Sequence, residues 1–501
     1  MSSAAMNPAG ASVKRKPPIP YLGLWIAVAA VVVVELLPLN GITVAGQHML
    51  AILAFAVIVW ITEVMDYTVS AILISALIIF LVGSAPDIAN PDKIIGTDKA
   101  LGWALAGFSN SAAILVAAAT FIAVAMTVTG LDRRIALVVM SRLGASSGSV
   151  LIGAIVVTIL LSLIVPSATA RVACVVPIMM GVIAAFKVDG QSRFAASVMI
   201  VVAQATSVWN IGIQTAAAQN LLSKGYIDKI LGPGHGITWV AWLLAGAPWA
   251  IIMSFVLYFV VRKIMPPEVE NVAGGKQALR EELNRLGPIT PAQIRLLVIS
   301  LVLLGFWSTE KKLHDFSTTS TTIAGLALML LPGIGVMNWQ QIQKNAPWGT
   351  IVMFAIGISL GGALLDTQAA QWLADLVVRS FHLETLSALP IFIILAAFLI
   401  VIHLGFASAT ALTASLLPVM ITVLTKLPAG TVNVAGMSML LAFSISFGFI
   451  LPTNAPQNMV CMGTQTFTTR QFARTGIWLT VIGFALMIVF ALTWWKYLGW
   501  M

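Results

Sequence analysis

Charge is scarce in this chain. Lys, Arg, Asp and Glu together make up 9% of its 501 residues, against about a quarter in a soluble domain. An ordinary water-soluble globule is therefore excluded. Cysteine is almost absent too. Cys174 and Cys461 stand far apart in apolar surroundings, which excludes a disulfide framework and a cysteine metal site. Both read as small buried residues. The glycine-rich, lysine-bearing loop that grips nucleotide phosphates is missing, so ATP-driven transport is unsupported. No His-Glu-x-x-His run suggests an intramembrane metalloprotease. Of the histidines His48, His235, His314, His382 and His403, only His403 lies near a pair of hydroxyl residues. That leaves little for a membrane-embedded hydrolase or transferase, and the chain does not read as an enzyme.

Apolar sequence fills the space that charge leaves, with hydrophobic residues at 59%. Runs at residues 21–39, 240–261 and 477–494 are long enough to cross a hydrocarbon core of about 30 Å. Others, such as 48–61 and 296–306, are shorter or fade into polar flanks. The first run is too long for a removed signal peptide and lacks a small-residue cleavage site. It reads as the first span, with the basic cluster Lys14, Arg15 and Lys16 of a 1–20 tail held in the cytoplasm. The net charge of +9 does not point to nucleic acid. The basic residues gather in alternate loops, as the positive-inside rule requires. Arg133, Arg134, Arg142, Lys187, Arg193, Arg262, Lys263, Lys276, Arg280 and Arg285 are on the cytoplasmic side of this count. An odd number of spans and an outer C-terminus follow, in a bacterial-type inner membrane.

The chain repeats itself. Ser167-Ala168-Thr169-Ala170 returns as Ser408-Ala409-Thr410-Ala411, each followed by a proline and a methionine at matching places. Thr215 to Asn220 returns as Thr453 to Asn458 at nearly the same offset. Thr129-Gly130 and Thr367-Gln368 stand at matching places before two amphipathic stretches. Three echoes in order indicate duplication. The first half covers 21–261, with a hairpin at 151–186 and a broken helix at 195–222. A charged linker containing Pro266, Pro267, Gly274 and Gly275 covers 262–290. The second half covers 291–501, with a hairpin at 389–426, a broken helix at 434–462 and a last span at 475–497. Span parity turns the two halves over relative to each other, the arrangement in which many transporters bind substrate where broken helices meet.

Each Ser-Ala-Thr lies between apolar arms of about 15 residues, too short to cross the bilayer comfortably. They read as re-entrant hairpins with polar tips. Irregular backbone at that depth survives only where protein or water satisfies it. Small-residue pairs also pack helices closely, but two copies at two hairpin turns favour a site. Ser167, Thr169, Ser408 and Thr410 can donate to carboxylate oxygens, and the second arm of each hairpin would aim its helix N-terminus at the ligand. The segments around Asn210, Gly212, Thr215 and Asn220, and around Thr453, Asn454, Pro456 and Asn458, interrupt apolar runs as unwound stretches. Glu35, Glu63, Asp66, Asp132, Asp366 and Asp375 all fall toward span ends, whereas a cation/proton antiporter would want a carboxylate in the middle.

With these motifs, the chain from Tyr21 onward resembles the divalent anion/sodium symporter family of dicarboxylate and citrate carriers. The family's Ser-Asn-Thr tips map onto Ser167-Ala168-Thr169 and Ser408-Ala409-Thr410. Its unwound Thr-Pro-Pro-Asn segment maps onto Thr453, Asn454, Pro456 and Asn458. Trp348-Gly349 and Phe467 to Phe472 also resemble family sequence. The resemblance implies an all-α membrane fold of about eleven spans, two re-entrant hairpins and two broken helices with substrate near mid-membrane. It also implies a homodimer and an elevator-like motion. Both tip asparagines are replaced, by Ala168 and Ala409, so an oxygen ligand for a hard cation such as sodium is lost twice. Two basic residues stand nearby. Arg171 could neutralise a carboxylate, and His403 could carry a proton. Pro166 to Arg171 is similar to the tip of sodium-independent exchangers of the family. The expectation is therefore a secondary transporter of di- or tricarboxylates, working by exchange without cofactor, metal or nucleic-acid partner, and surrounded by lipid. Sodium-coupled dicarboxylate or sulfate symport is the alternative.

Overall fold

Helix is what an apolar chain must form in lipid, since it satisfies its own backbone groups. In a computed structural model, residues 21–143, 146–186, 188–232, 235–270 and 275–501 are described. The basic tail 1–20, Lys187 and Gly274 lie outside the described residues, as does the side chain of Lys276. No β-strand occurs among the described residues, only two isolated bridges.

The first half begins with α1 (Leu22–Leu36), α2 (Val44–Thr62), α3 (Tyr67–Phe80) and the short α4 (Thr97–Leu105). The repeated unit follows as α5 (Ser111–Thr129), α6 (Leu131–Leu143), the hairpin α7 (Ser147–Ile164) and α8 (Ala168–Ala185), the broken pair α9 (Arg193–Gly212) and α10 (Ala218–Leu231), and α11 (Trp239–Ile264). The linker forms α12 (Gly275–Arg285). Then come α13 (Pro291–Thr309), α14 (Thr318–Leu330) and α15 (Trp339–Asn345). The second copy of the unit is α16 (Trp348–Asp366), α17 (Ala369–Ser380), the hairpin α18 (Ala388–His403) and α19 (Ala409–Thr425), the broken pair α20 (Val434–Ile445) and α21 (Pro456–Met462), and α22 (Thr469–Leu492), with a last turn α23 (Trp494–Tyr497).

Ten helical segments are long and apolar enough to cross a membrane, and two of them are α7 and α8. Shorter apolar helices are α1, α14, α18, α19 and α20. The chain is a multi-pass membrane protein.

Local sequence explains most boundaries. Thr43, Asn110, Ser192 and Thr238 cap α2, α5, α9 and α11 by accepting from first-turn N–H groups. Reciprocal capping boxes open α13 (Thr290 and Gln293) and α22 (Thr468 and Gln471). The box at Thr468 explains why the last span starts at Thr469, ahead of the expected 475. Ser146 caps α7 in the same way, so the first hairpin begins before the expected 151. Its arms are 18 residues each, longer than expected. Cys461 is buried, but Cys174 is only half-buried.

From Phe194 to Gly212 every residue of α9 is buried. It is the centre about which the hairpin and α11 pack. Apolar side chains such as Trp25, Phe255, Phe259, Leu301 and Val481 lie exposed on α1, α11, α13 and α22, as suits helices surrounded by lipid. The linker is held to the first half. Arg133 pairs with Glu282, and Arg134 donates to the carbonyls of Leu286, Gly287 and Pro288 and to Gln293 Oε1 at 2.8 Å.

Candidate functional site

Each hairpin tip is built the same way. Pro166 has no N–H to continue α7, and the chain stays extended to Ser167 (φ −146°, ψ 111°), which caps α8. Ser408 caps α19 with φ −149° and ψ 120°. Ser167 Oγ accepts from Ala170 N at 3.3 Å, and Ser408 Oγ accepts from Ala411 N at 3.4 Å. The matching angles give the duplication a physical form. Both hydroxyl hydrogens are left free for a ligand. The N–H groups of the first helical turn point the same way as the positive dipole end.

Both tips open onto one cavity of about 530 Å³. Ser167, Ala168 and Thr169 line it from the first hairpin, and Ser408, Ala409 and Thr410 from the second. The starts of α10 and α21 add Gln219, Pro456 and Gln457. Thr120 and Thr127 of α5, Tyr67 of α3, Asn345 of α15 and Thr350 of α16 line the far wall. No Asp, Glu, Lys, Arg or His is among the lining residues. The site is polar, uncharged and rich in hydroxyls, within the 300–1,000 Å³ typical of small-molecule pockets.

The unwound segments stand behind this wall. After Gly212 the helix breaks until Ala218, and Asn220 Nδ2 donates to the freed carbonyls of Asn210 (2.6 Å) and Ile213 (3.1 Å). At the matching place Asn458 Nδ2 donates to Gly448 O at 2.9 Å. Trp239 Nε1 donates to Thr215 Oγ1 at 3.1 Å. A glycine on the following span backs each break. Gly246 of α11 lies against the Ile211 carbonyl, and Gly476 of α22 lies against the Phe449 carbonyl. Trp242 Nε1 donates to the first of these oxygens (2.9 Å) and Gln204 Nε2 to the second (2.8 Å).

Arg171 does not face the cavity. It is 1% exposed. Its Nη1 donates to Val165 O (3.0 Å) and Ala216 O (2.6 Å), and its Nη2 to Asn210 Oδ1 (2.6 Å). The expected fork onto a substrate carboxylate is replaced by a strut from tip to unwound segment, because the tip and the break leave carbonyls needing donors. In the second copy the position of Arg171 is Leu412 and that of Ala216 is Asn454. Asn454 Nδ2 donates to Phe406 O (3.0 Å), the counterpart of Val165 O, and also to His403 O (2.9 Å) and Leu404 O (3.3 Å). One carbonyl at each tip is thus tied to the same place in each break by different side chains. Asn454 therefore also stands behind the wall, and Thr453 is exposed outside it. His403 is buried, with Nε2 3.2 Å from Asn454 O. A carbonyl partner requires that nitrogen to carry the hydrogen.

Of the expected site residues, the structure brings Ser167, Ala168, Thr169, Ser408, Ala409, Thr410 and Pro456 to the cavity. Arg171, His403, Asn454, Thr453, Asn210, Gly212, Thr215, Asn220 and Asn458 support or flank it. Sequence reasoning missed Gln219 and Gln457 as wall residues, although both were inside the repeated Thr-to-Asn segment. It also missed Thr120, Thr127, Tyr67 and Thr350, which carry no motif. Ala168 and Ala409 offer no side-chain oxygen to a cation, and no group of three His, Cys, Asp or Glu residues gathers among the described residues.

The family model described as the sodium:sulfate symporter transmembrane region matches residues 20–501. A protein named only as a membrane protein, from Cupriavidus necator, is 61% identical over 96% of this chain and 93% of its own length. The citrate/succinate antiporter of Escherichia coli K12 is 26% identical over 93% of this chain and 96% of its own length. The sodium-dependent dicarboxylate transporter SdcS of Staphylococcus saprophyticus is 23% identical over 89% of this chain and 85% of its own length. Among solved structures, the YdaH transporter of Alcanivorax borkumensis has a similar fold, with a TM-score of 0.55 and 15% identity over 88% of this chain and 99% of that one.

Proposed function

From the premise that this chain belongs to the sodium:sulfate symporter family, we propose that it is a secondary transporter of small organic dianions, dicarboxylates above all, that works by exchange. The observation that carries this reading is the single uncharged cavity between two like hairpin tips. Each tip offers a hydroxyl pair and a helix N-terminus, the setting that favours a carboxylate. Two tips suit two carboxylates. The names of the antiporter and of the dicarboxylate transporter among its relatives support the same substrate class.

The charge that stands behind the wall supports exchange. Arg171 places a fixed cation at the first tip. An unloaded hairpin domain would carry that charge and its helix dipoles across the bilayer uncompensated, which is costly. A bound dianion offsets them. Sodium symport would need oxygen ligands that Ala168 and Ala409 do not supply. The hairpins, with the broken helices, α11 and α22, would move as one body against α1–α5 and α13–α16. Homodimerisation, an inner-membrane location and a cytoplasmic N-terminus belong to the same proposal.

Competition in vesicles containing the full chain tests the substrate. Succinate, malate, 2-oxoglutarate and tartrate should block uptake of a labelled dicarboxylate, and monocarboxylates should not. Block by sulfate alone would overturn the reading. Ser167→Ala and Ser408→Ala should each raise the KM for the dicarboxylate by about tenfold, the worth of one hydrogen bond to a charged group.

A further inference from the structure

Gln219 and Gln457 occupy matching places in the two repeats, and each is anchored in the other repeat. Gln219 Nε2, at the start of α10, donates to Ser446 Oγ beyond the end of α20 at 3.3 Å. Gln457 Nε2, at the start of α21, donates to Ser207 Oγ on α9 at 3.3 Å. The bonds cross the pseudo-twofold axis and hold both amides in place. Chemistry orients at least one of them. The single hydrogen of the Ser207 hydroxyl goes to Ala203 O at 3.3 Å. Its oxygen can then only accept, so the amide must turn its nitrogen to Ser207 and its oxygen away. Gln219 also turns its nitrogen to Ser446, although the Ser446 hydroxyl keeps its own hydrogen free.

The two amide oxygens are left over, as is the second N–H of each amide. Neither oxygen has a hydrogen-bond partner among the described residues, and neither is sealed from solvent as are the orphaned oxygens of Gln204 and Gln214. Both residues line the cavity. The cavity therefore presents hydroxyl donors at its tips and a pair of acceptors between the repeats. An ionised carboxylate only accepts. Two acceptor oxygens have no use for a plain dicarboxylate and weaken its binding unless the ligand brings donors of its own.

We infer that Gln219 and Gln457 read hydroxyl groups on the carbon skeleton of the substrate, so that the preferred class is the hydroxylated C4 dicarboxylates. One hydroxyl occupies one oxygen. In the (R,R) and (S,S) acids, two hydroxyls on adjacent carbons are related by a twofold axis, as the two glutamines are, and occupy both. Selection of this kind is strong in principle, because the acid lacking the hydroxyl leaves a desolvated acceptor unpaired. The inference rests on the proposed transport of dicarboxylates and names the member of that class.

The test uses the full chain in vesicles, with labelled succinate as the exchanged probe and malate, tartrate and unlabelled succinate as competitors. In the natural protein malate and tartrate should compete about tenfold better than succinate, the cost of one unpaired acceptor. Gln219→Leu and Gln457→Leu should each bring that ratio close to one. Ser207→Ala, which frees the Gln457 amide to rotate, should lower the ratio without removing any wall residue. If a leucine variant does not reach the membrane, Gln219→Met and Gln457→Met keep the length of the side chain and lack its oxygen. A ratio unchanged in all these variants overturns the inference while succinate exchange leaves the transport reading intact. Absence of succinate exchange in the natural protein overturns both. A loss equal for all three acids and restored by added sodium overturns it too, and assigns the oxygens to a cation.

Discussion

Arg171→Ala should abolish exchange and loosen the first hairpin. The guanidinium holds two carbonyls and one amide oxygen, and each buried acceptor left without a donor costs about 1–3 kcal/mol. A loss of about 3 kcal/mol or more is expected, read as a lower melting temperature of the purified protein. Arg171→Lys should rescue little, because a point charge on a flexible stem cannot reproduce a planar fork. The second repeat supplies a sharper variant. Arg171→Leu combined with Ala216→Asn copies the pair Leu412 and Asn454, whose amide already holds the matching tip carbonyl. This double variant should recover most of the lost thermal stability but not exchange, because the fixed charge is gone. Normal exchange in the double variant would show that Arg171 is only a strut.

Gly476→Ala should be nearly as damaging, from far outside the cavity. A Cβ at Gly476 would overlap the Phe449 carbonyl, which belongs to the unwound segment after α20. Alanine is ordinarily the better helix former, by about 1 kcal/mol. Here the opposing atom is backbone, already bonded to Gln204, and it has no soft side chain to move aside. Overpacking of this kind costs about 1–3 kcal/mol, occasionally more. Gly246→Ala, which meets the Ile211 carbonyl in the first repeat, should behave likewise. The glycines at 102 and 181 have open space where a Cβ would go, so Gly102→Ala and Gly181→Ala are the controls. Melting curves of the four variants in detergent check this. Equal stability of all four would mean that α11 and α22 do not press on the unwound backbone.

The tips were legible in the sequence because their signal is local. Ser167 and Ser408 cap helices with the residues beside them, and the same few letters recur in both halves. The breaks were legible for a similar reason, since Pro452 and Pro456 cannot continue a helix. The direction in which a polar side chain turns was not legible. Arg171 and Asn454 could equally have faced a ligand. What decides is the presence of free carbonyls at Val165, Ala216 and Phe406, which exist only after a tip and a break have been brought together. Gln219 and Gln457 were overlooked because their anchors, Ser446 and Ser207, lie in the opposite repeat. The far wall, with Thr120 and Thr350, carries no motif, because any small hydroxyl residue on a packed helix reads as packing. The early start of α7 followed from a single cap at Ser146, a detail that hydrophobic runs alone do not reveal.

The most direct test of the account is uptake of labelled succinate into vesicles that are either loaded with unlabelled succinate or empty, with and without an inward sodium gradient. An uncompensated charge at the bilayer centre costs about 3 kcal/mol, on the order of a hundredfold in rate. Loaded vesicles should therefore take up label far faster than empty ones, and sodium should make no difference. Uptake into empty vesicles that matches loaded ones and follows the sodium gradient would contradict it.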